Sequence, residues 1–75
     1  GPLRPAVVIG LGWTGQRVLR RFRKLLAERY GSARRVPAVR TVYLDTDPEA
    51  IAAAAAPSGD LPPLPAEGVL AAPLN

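Results

Sequence analysis

Seventy-five residues with no cysteine and no histidine make one domain at most, and they exclude disulfides, thiol chemistry, nearly all zinc sites and histidine-based acid/base catalysis. A chain this short buries only ~60–65% of its unfolded surface, so an independent fold is marginal without a metal, a disulfide or an oligomer. The net charge of +4 comes from ten basic residues, most of them between Arg17 and Arg40, against six acidic ones.

That excess invites a nucleic-acid reading, but one Trp, one Phe and two Tyr leave few platforms for base stacking. Arg17, Arg20, Arg21, Arg23, Lys24 and Arg29 fall mainly on the polar side of one predicted helix. A solvated or partner-facing basic surface is therefore expected instead of a nucleic-acid interface. No apolar run approaches the ~20 residues of a membrane span and there is no signal-peptide core, so no membrane partner and a cytoplasmic location are expected. Any chemistry has to rest on backbone amides, carboxylates, hydroxyls or Arg and Lys. Gly1-Pro2-Leu3 has the form of a protease scar and is set aside.

Arg4 and Pro5 lead into the first predicted strand, residues 6–9, where Val7, Val8 and Ile9 are continuous and β-branched, as in a strand buried on both faces of a parallel sheet. Gly10, Gly12 and Gly15 then spell G-x-G-x-x-G between strand and helix. Gly10 is expected to allow the tight turn, Gly12 to let backbone approach a phosphate, and Gly15 to let the helix pack on the strand. Backbone N–H groups at the helix N-terminus, at the positive end of its dipole, complete an anion site. The motif has the flanking context that gives it meaning. Gly10, Leu11, Gly12, Trp13, Thr14 and Gly15 are thus candidate ligand residues. Thr14 has two uses, capping the helix or donating to a phosphate oxygen. Trp13 either packs away from the loop or lids the phosphate site; obstruction is the working expectation, since a cradle needs close backbone approach.

The helix is predicted over residues 15–30, with Val18, Leu19, Phe22, Leu25, Leu26 and Tyr30 as a core-facing stripe, and Gly31 ends it. After a polar connection through Ser32 to Arg35, residues 39–45 form the second predicted strand, ending on Asp45. Strand, helix and strand make a Rossmann-like βαβ unit of α/β class with a parallel pair and a right-handed crossover. Asp45 then lies beside the glycine loop, where open α/β sheets bind ligands. A short helix is predicted over residues 48–56, with Pro48 at its first position behind an Asp47 cap, and Thr46 with Glu49 also fits a capping box. Asp47 therefore reads as structural, while Asp45, which caps nothing evident, is the better ligand candidate.

From Pro57 to residue 75 the composition turns Pro- and Ala-rich, which predicts, without regular structure, a linker or an extended tail lying over something else. Residues 4–56 alone leave one sheet face and both sheet edges uncovered, an incomplete three-layer domain. Self-association, or a missing remainder of the domain, is the expected partner.

The glycine loop and the second strand together resemble the tubulin/FtsZ superfamily of GTPases, and among them the bacterial tubulin-like proteins. The carrying residues are Val7 to Gly12, Thr14-Gly15, the helix from Gln16 to Tyr30, and Tyr43-Leu44-Asp45-Thr46-Asp47-Pro48-Glu49-Ala50. The resemblance covers roughly residues 6–52. It implies the N-terminal, phosphate-cradling segment of a nucleotide-binding domain that hydrolyses GTP and polymerises as the full protein. It further implies that Gly10 to Gly15 contact phosphates, that Gln16 sits near base or ribose, and that Asp45, Thr46 and Asp47 flank the phosphates of GTP or GDP and their Mg²⁺. The family's second glycine-rich loop and its water-activating acidic loop are absent, so the resemblance assigns no catalytic residue, and this chain alone is expected to be inactive. Trp13 departs from the small residue usual there. Two other readings compete: a dinucleotide-binding unit of an NAD(P) or FAD enzyme, and a non-enzymatic interaction module with a basic helix. Asp45 follows Gly15 by 30 residues, longer than the ~20 of a dinucleotide fingerprint.

Overall fold

A computed structural model describes residues 5–31 and 38–72. The predicted connection at Ser32 to Arg35 lies outside the described residues. The elements run β1 (Ala6–Leu11), α1 (Gly12–Tyr30), β2 (Val39–Asp45), α2 (Pro48–Ala54), a 3₁₀ turn (Ala66–Gly68) and β3 (Val69–Ala71). The strands form one sheet in the order β1-β2-β3, and both pairs are parallel. The α/β unit expected from the sequence is present, with a third strand added to it.

Boundaries shift for local reasons. β1 continues to Leu11 and α1 begins at Gly12, because the chain turns in one residue: Gly12 has φ +68°, in the left-handed region that favours glycine. At the other end of α1, Gly31 has φ +85° and donates its N–H to the Ala27 carbonyl at 2.8 Å, a left-handed cap. α2 stops at Ala54, two residues earlier than predicted, and its last amides bond with shorter spacing, Ala56 N–H to the Ala53 carbonyl at 3.1 Å. Pro57 accounts for this, since the residue before proline is disfavoured in helical conformation.

The expectation that nothing regular follows Pro57 is corrected. No proline falls between Pro65 and Pro73, and Val69-Leu70-Ala71 pairs with Tyr43, Leu44 and Asp45. The Ala72 N–H donates to the Asp45 carbonyl at 2.8 Å, and the Leu64 N–H donates to the Ala54 carbonyl at 2.9 Å. Residues 58–72 thereby close one sheet edge and supply Leu64 to the core.

That core is Leu19, Tyr43, Ala50, Ala54 and Leu64, with Val8, Ile51 and Val69 packed against it. The alanines let α2 approach closely. Of the predicted α1 stripe, Leu19 is buried and Phe22 and Leu26 are half-buried, but Val18, Leu25 and Tyr30 are exposed. Gln16 and Arg20 take the buried positions beside Leu19 instead. The Arg20 guanidinium donates to the carbonyls of Ala53 (2.7 Å), Ala56 (2.7 Å) and Pro62 (2.9 Å) and, through Nε, to Gln16 Oε1 (3.1 Å). A planar, always-charged group with five donors suits the end of α2, where carbonyls lose their helical partners and carry the negative end of the dipole. Its place on a solvated face, expected from the sequence, is thus corrected.

β1 is not buried on both faces. Val7 and Ile9 are each 60% exposed and Leu11 66%, because the core lies on the sheet face of Val8, Gly10, Tyr43 and Val69. No described helix is long and apolar enough to cross a membrane.

Candidate functional site

Parallel pairing brings the C-terminal ends of β1 and β2 side by side, with Leu11 opposite Leu44. There the two predicted loops meet: Leu11, Gly12, Leu44, Asp45, Thr46 and Ala72 line an open cleft of about 330 Å³. This is the place where open α/β sheets take ligands.

The three loop glycines divide the work differently from the sequence expectation. Gly10 does not make the turn. A Cβ on Gly10 would lie 2.6 Å from the Gly15 carbonyl oxygen, and one on Gly15 would lie 2.6 Å from the Gly10 carbonyl carbon, so these two set the close approach of α1 to β1. Gly12 makes the turn, and nothing lies within 4 Å of where its Cβ would be. The open space is at the glycine that faces the cleft.

At the head of α1 the N-cap residue is Leu11, which supplies no side-chain cap. Thr14 does not cap the helix, because α1 starts two residues before it; the residue is exposed within the first turn. The first backbone N–H groups of a 19-residue helix therefore lack a side-chain acceptor at the cleft mouth. Their partial positive charge suits an anion.

Asp45 sits across the cleft and has partners of its own, though it caps no helix. Its Oδ1 accepts the Asp47 N–H at 3.0 Å, and its Oδ2 accepts the Tyr43 hydroxyl. The Tyr43 hydroxyl, and then the Asp47 amide, hold the Asp45 carboxyl below its ordinary value. Burial first, and the bond to Asp45 second, push the Tyr43 phenol up to about 12. Asp45 is thus a fixed, ionised group at the site. Asp47 caps α2, its Oδ1 accepting the Glu49 N–H at 3.0 Å with Pro48 in the first turn, as predicted. Since Asp47 is the cap, the alternative box of Thr46 with Glu49 is not formed; Thr46 is exposed at the cleft rim.

Two other candidates lie elsewhere. Trp13 and Gln16 line a separate groove along α1. Trp13, expected to obstruct the phosphate site, is not among the residues that line the cleft. Gln16 is buried, donating to the Ala50 carbonyl at 2.9 Å while its oxygen accepts from Arg20. Leu44 and Ala72 were missed. Ala72 reaches the cleft only through β3, and the apolar run Val69 to Ala71 after Gly68 was its one sequence signal.

Among the described residues no group of three or more carboxylates, histidines or cysteines could hold a metal by itself. Fold and cleft together define an α/β protein with a glycine turn at the C-terminal edge of a parallel sheet. A family model described as tubulin-like matches residues 7–67, most of the chain, and the chain belongs to the tubulin-like family. No curated protein and no solved structure matches it significantly.

Proposed function

We propose that this chain is the N-terminal nucleotide-binding segment of a tubulin-like GTPase that polymerises as the full protein, with GTP or GDP phosphates received at Gly12. The observation that carries the reading is the open left-handed turn at Gly12, at the uncapped head of α1, facing Asp45 and Thr46 across one cleft. Gly10 and Gly15 act beneath it by setting the helix at contact distance from the strand.

The residues present fit Mg²⁺ as a companion of the nucleotide. An ionised Asp45 repels a phosphate directly, and a divalent cation between them removes the repulsion. With one carboxylate in the cleft, most of the cation's ligands have to be phosphate oxygens and water. Bound there, the cation supplies charge neutralisation. Asp45 orients it, and the α1 amides hold the phosphates.

This chain by itself hydrolyses no GTP in this reading, because among the described residues the cleft holds one carboxylate, already engaged by Tyr43 and Asp47. The uncovered sheet face is completed by the remainder of the domain or by a second copy. Calorimetric titration of the chain, and of a longer GTPase domain that contains it, with GTP, ATP and NAD tests the proposal. GTP should bind with a Mg²⁺ dependence that Asp45→Asn weakens. Preferential binding of NAD, or GTP binding unchanged by Asp45→Asn and by Gly12→Val, would overturn it.

A further inference from the structure

On the side of α1 away from the cleft, Trp13, Arg17, Arg21, Lys24 and Glu28 follow one another at steps of four, four, three and four residues, so they stack on one helix face. The segment from Ser58 to Leu61 lies beside that face, and the two wall a groove of about 530 Å³. Lys24 forms an ion pair with Asp60, which pins the second wall to the helix. The Ser58 to Leu61 turn is closed on itself, each residue's N–H donating to the other's carbonyl at 3.1 and 3.0 Å. The groove is therefore built by contacts outside the nucleotide cleft.

Its chemistry is that of a docking surface. Trp13 is 51% exposed and Leu25 59%, a large apolar group at each end. Between them Arg17 and Arg21 are exposed and have no ion pair among the described residues. Aromatic residues and arginine are the types enriched where proteins bind one another. Trp13 and Leu25 are twelve positions apart, ~18 Å along the helix, a span covered by about six residues of extended chain.

We propose that this groove docks an extended acidic peptide segment of a partner protein, its carboxylates on Arg17 and Arg21 and an apolar side chain against Trp13. The proposal is independent of the nucleotide reading. Charge complementarity selects the occupant: Arg17 and Arg21 are in no ion pair among the described residues, and Asp60 is paired with Lys24. A nucleic-acid strand fits less well, since Trp13, the aromatic lining the groove, offers one stacking platform.

Trp13 is the chain's one tryptophan, so its emission reports on the groove. The whole chain is titrated with a short synthetic peptide of alternating glutamate and leucine, with its glutamine counterpart, and with a single-stranded oligonucleotide of equal length. The glutamate peptide should produce a saturable change that added salt weakens, and the glutamine peptide should not. Arg17→Glu should weaken binding at least about tenfold, whereas Arg29→Glu, the same charge change in the last turn of α1, should leave it within about twofold. Arg21→Glu serves where Arg17→Glu disturbs the helix by circular dichroism. Equal binding of both peptides, equal loss in the Arg17 and Arg29 variants, or tighter binding of the oligonucleotide would overturn the proposal.

Discussion

Gly10 and Gly15 meet backbone to backbone, close enough that a methyl group on either would lie 2.6 Å from main-chain atoms of the other. Neither obstacle is a side chain that can swing aside. Gly10→Ala and Gly15→Ala should each destabilise the chain by about 2 kcal/mol or more, even though alanine at position 15 gains up to ~1 kcal/mol of helix propensity. Gly12→Ala meets no neighbour but must adopt a positive φ, so its cost should be about 1 kcal/mol and its principal effect should fall on ligand binding. Urea denaturation of the three variants checks the order. Equal losses at all three positions would mean that the turn, not the helix–strand contact, governs the loop.

The glycine pattern was legible because steric demands at strand-to-helix turns are local, but which glycine meets which demand depends on where the helix begins. The helix begins at Gly12, three residues before its predicted start, which puts the turn at Gly12 instead of Gly10 and removes Thr14 from the cap. The Asp47 cap rests on neighbours in sequence, and the pairing of β1 with β2 follows from the chain order of strand, helix and strand, so both were readable. Arg20 and β3 were not, because each is decided by partners more than thirty positions away or by a sheet edge that exists only after folding. A basic residue on an amphipathic helix reads as solvated until the carbonyls that need it are known.

Arg20 joins α1 to the end of α2 and to the segment carrying β3 through three carbonyl groups. Arg20→Ala should cost about 3 kcal/mol or more, because it leaves these acceptors and Gln16 Oε1 without their donor in a buried place. Arg20→Lys should recover little of that, since one ammonium cannot span acceptors arranged around a guanidinium fork. Hydrogen exchange offers a local readout: amides of residues 64–72 should lose protection first. Uniform loss across β1 and β2 would show that Arg20 supports the whole fold and not this junction.

Tyr43 and Asp45 make stability depend on pH at both extremes. The folded Tyr43 pKa is raised from 10.0 to about 12, so the folded state keeps its proton where the unfolded state has lost it. Stability from this source is complete below the unfolded value and declines as pH rises from about 10 towards 12, by on the order of 2 kcal/mol. Asp45 has the opposite sign: its folded pKa is lowered, so its contribution is present above the unfolded carboxylate value and is lost as pH falls through the folded one. Denaturant midpoints measured across pH should fall on both sides. Tyr43→Phe should flatten the alkaline limb and, by removing the hydroxyl from Asp45, shrink the acid limb as well. An unchanged alkaline limb would assign it to other groups.

Among the described residues, the sheet face carrying Val7, Ile9, Leu11 and Leu70 has no element against it, and the outer edge of β1 has no paired strand. Three neighbouring apolar side chains on β1, each 60% exposed or more, form a row that water solvates poorly and that a second copy can cover. The edge adds unpaired N–H and C=O groups that can extend the sheet. The chain should therefore associate as concentration rises, with a melting temperature that increases with concentration. Ile9→Lys places a charge in the middle of the row without touching the face that packs on α1, and should shift the population to monomer. Sedimentation velocity across a dilution series measures both. A cooperative melt independent of concentration, with Ile9→Lys and the parent sequence sedimenting alike as monomers, would show that this face needs no cover.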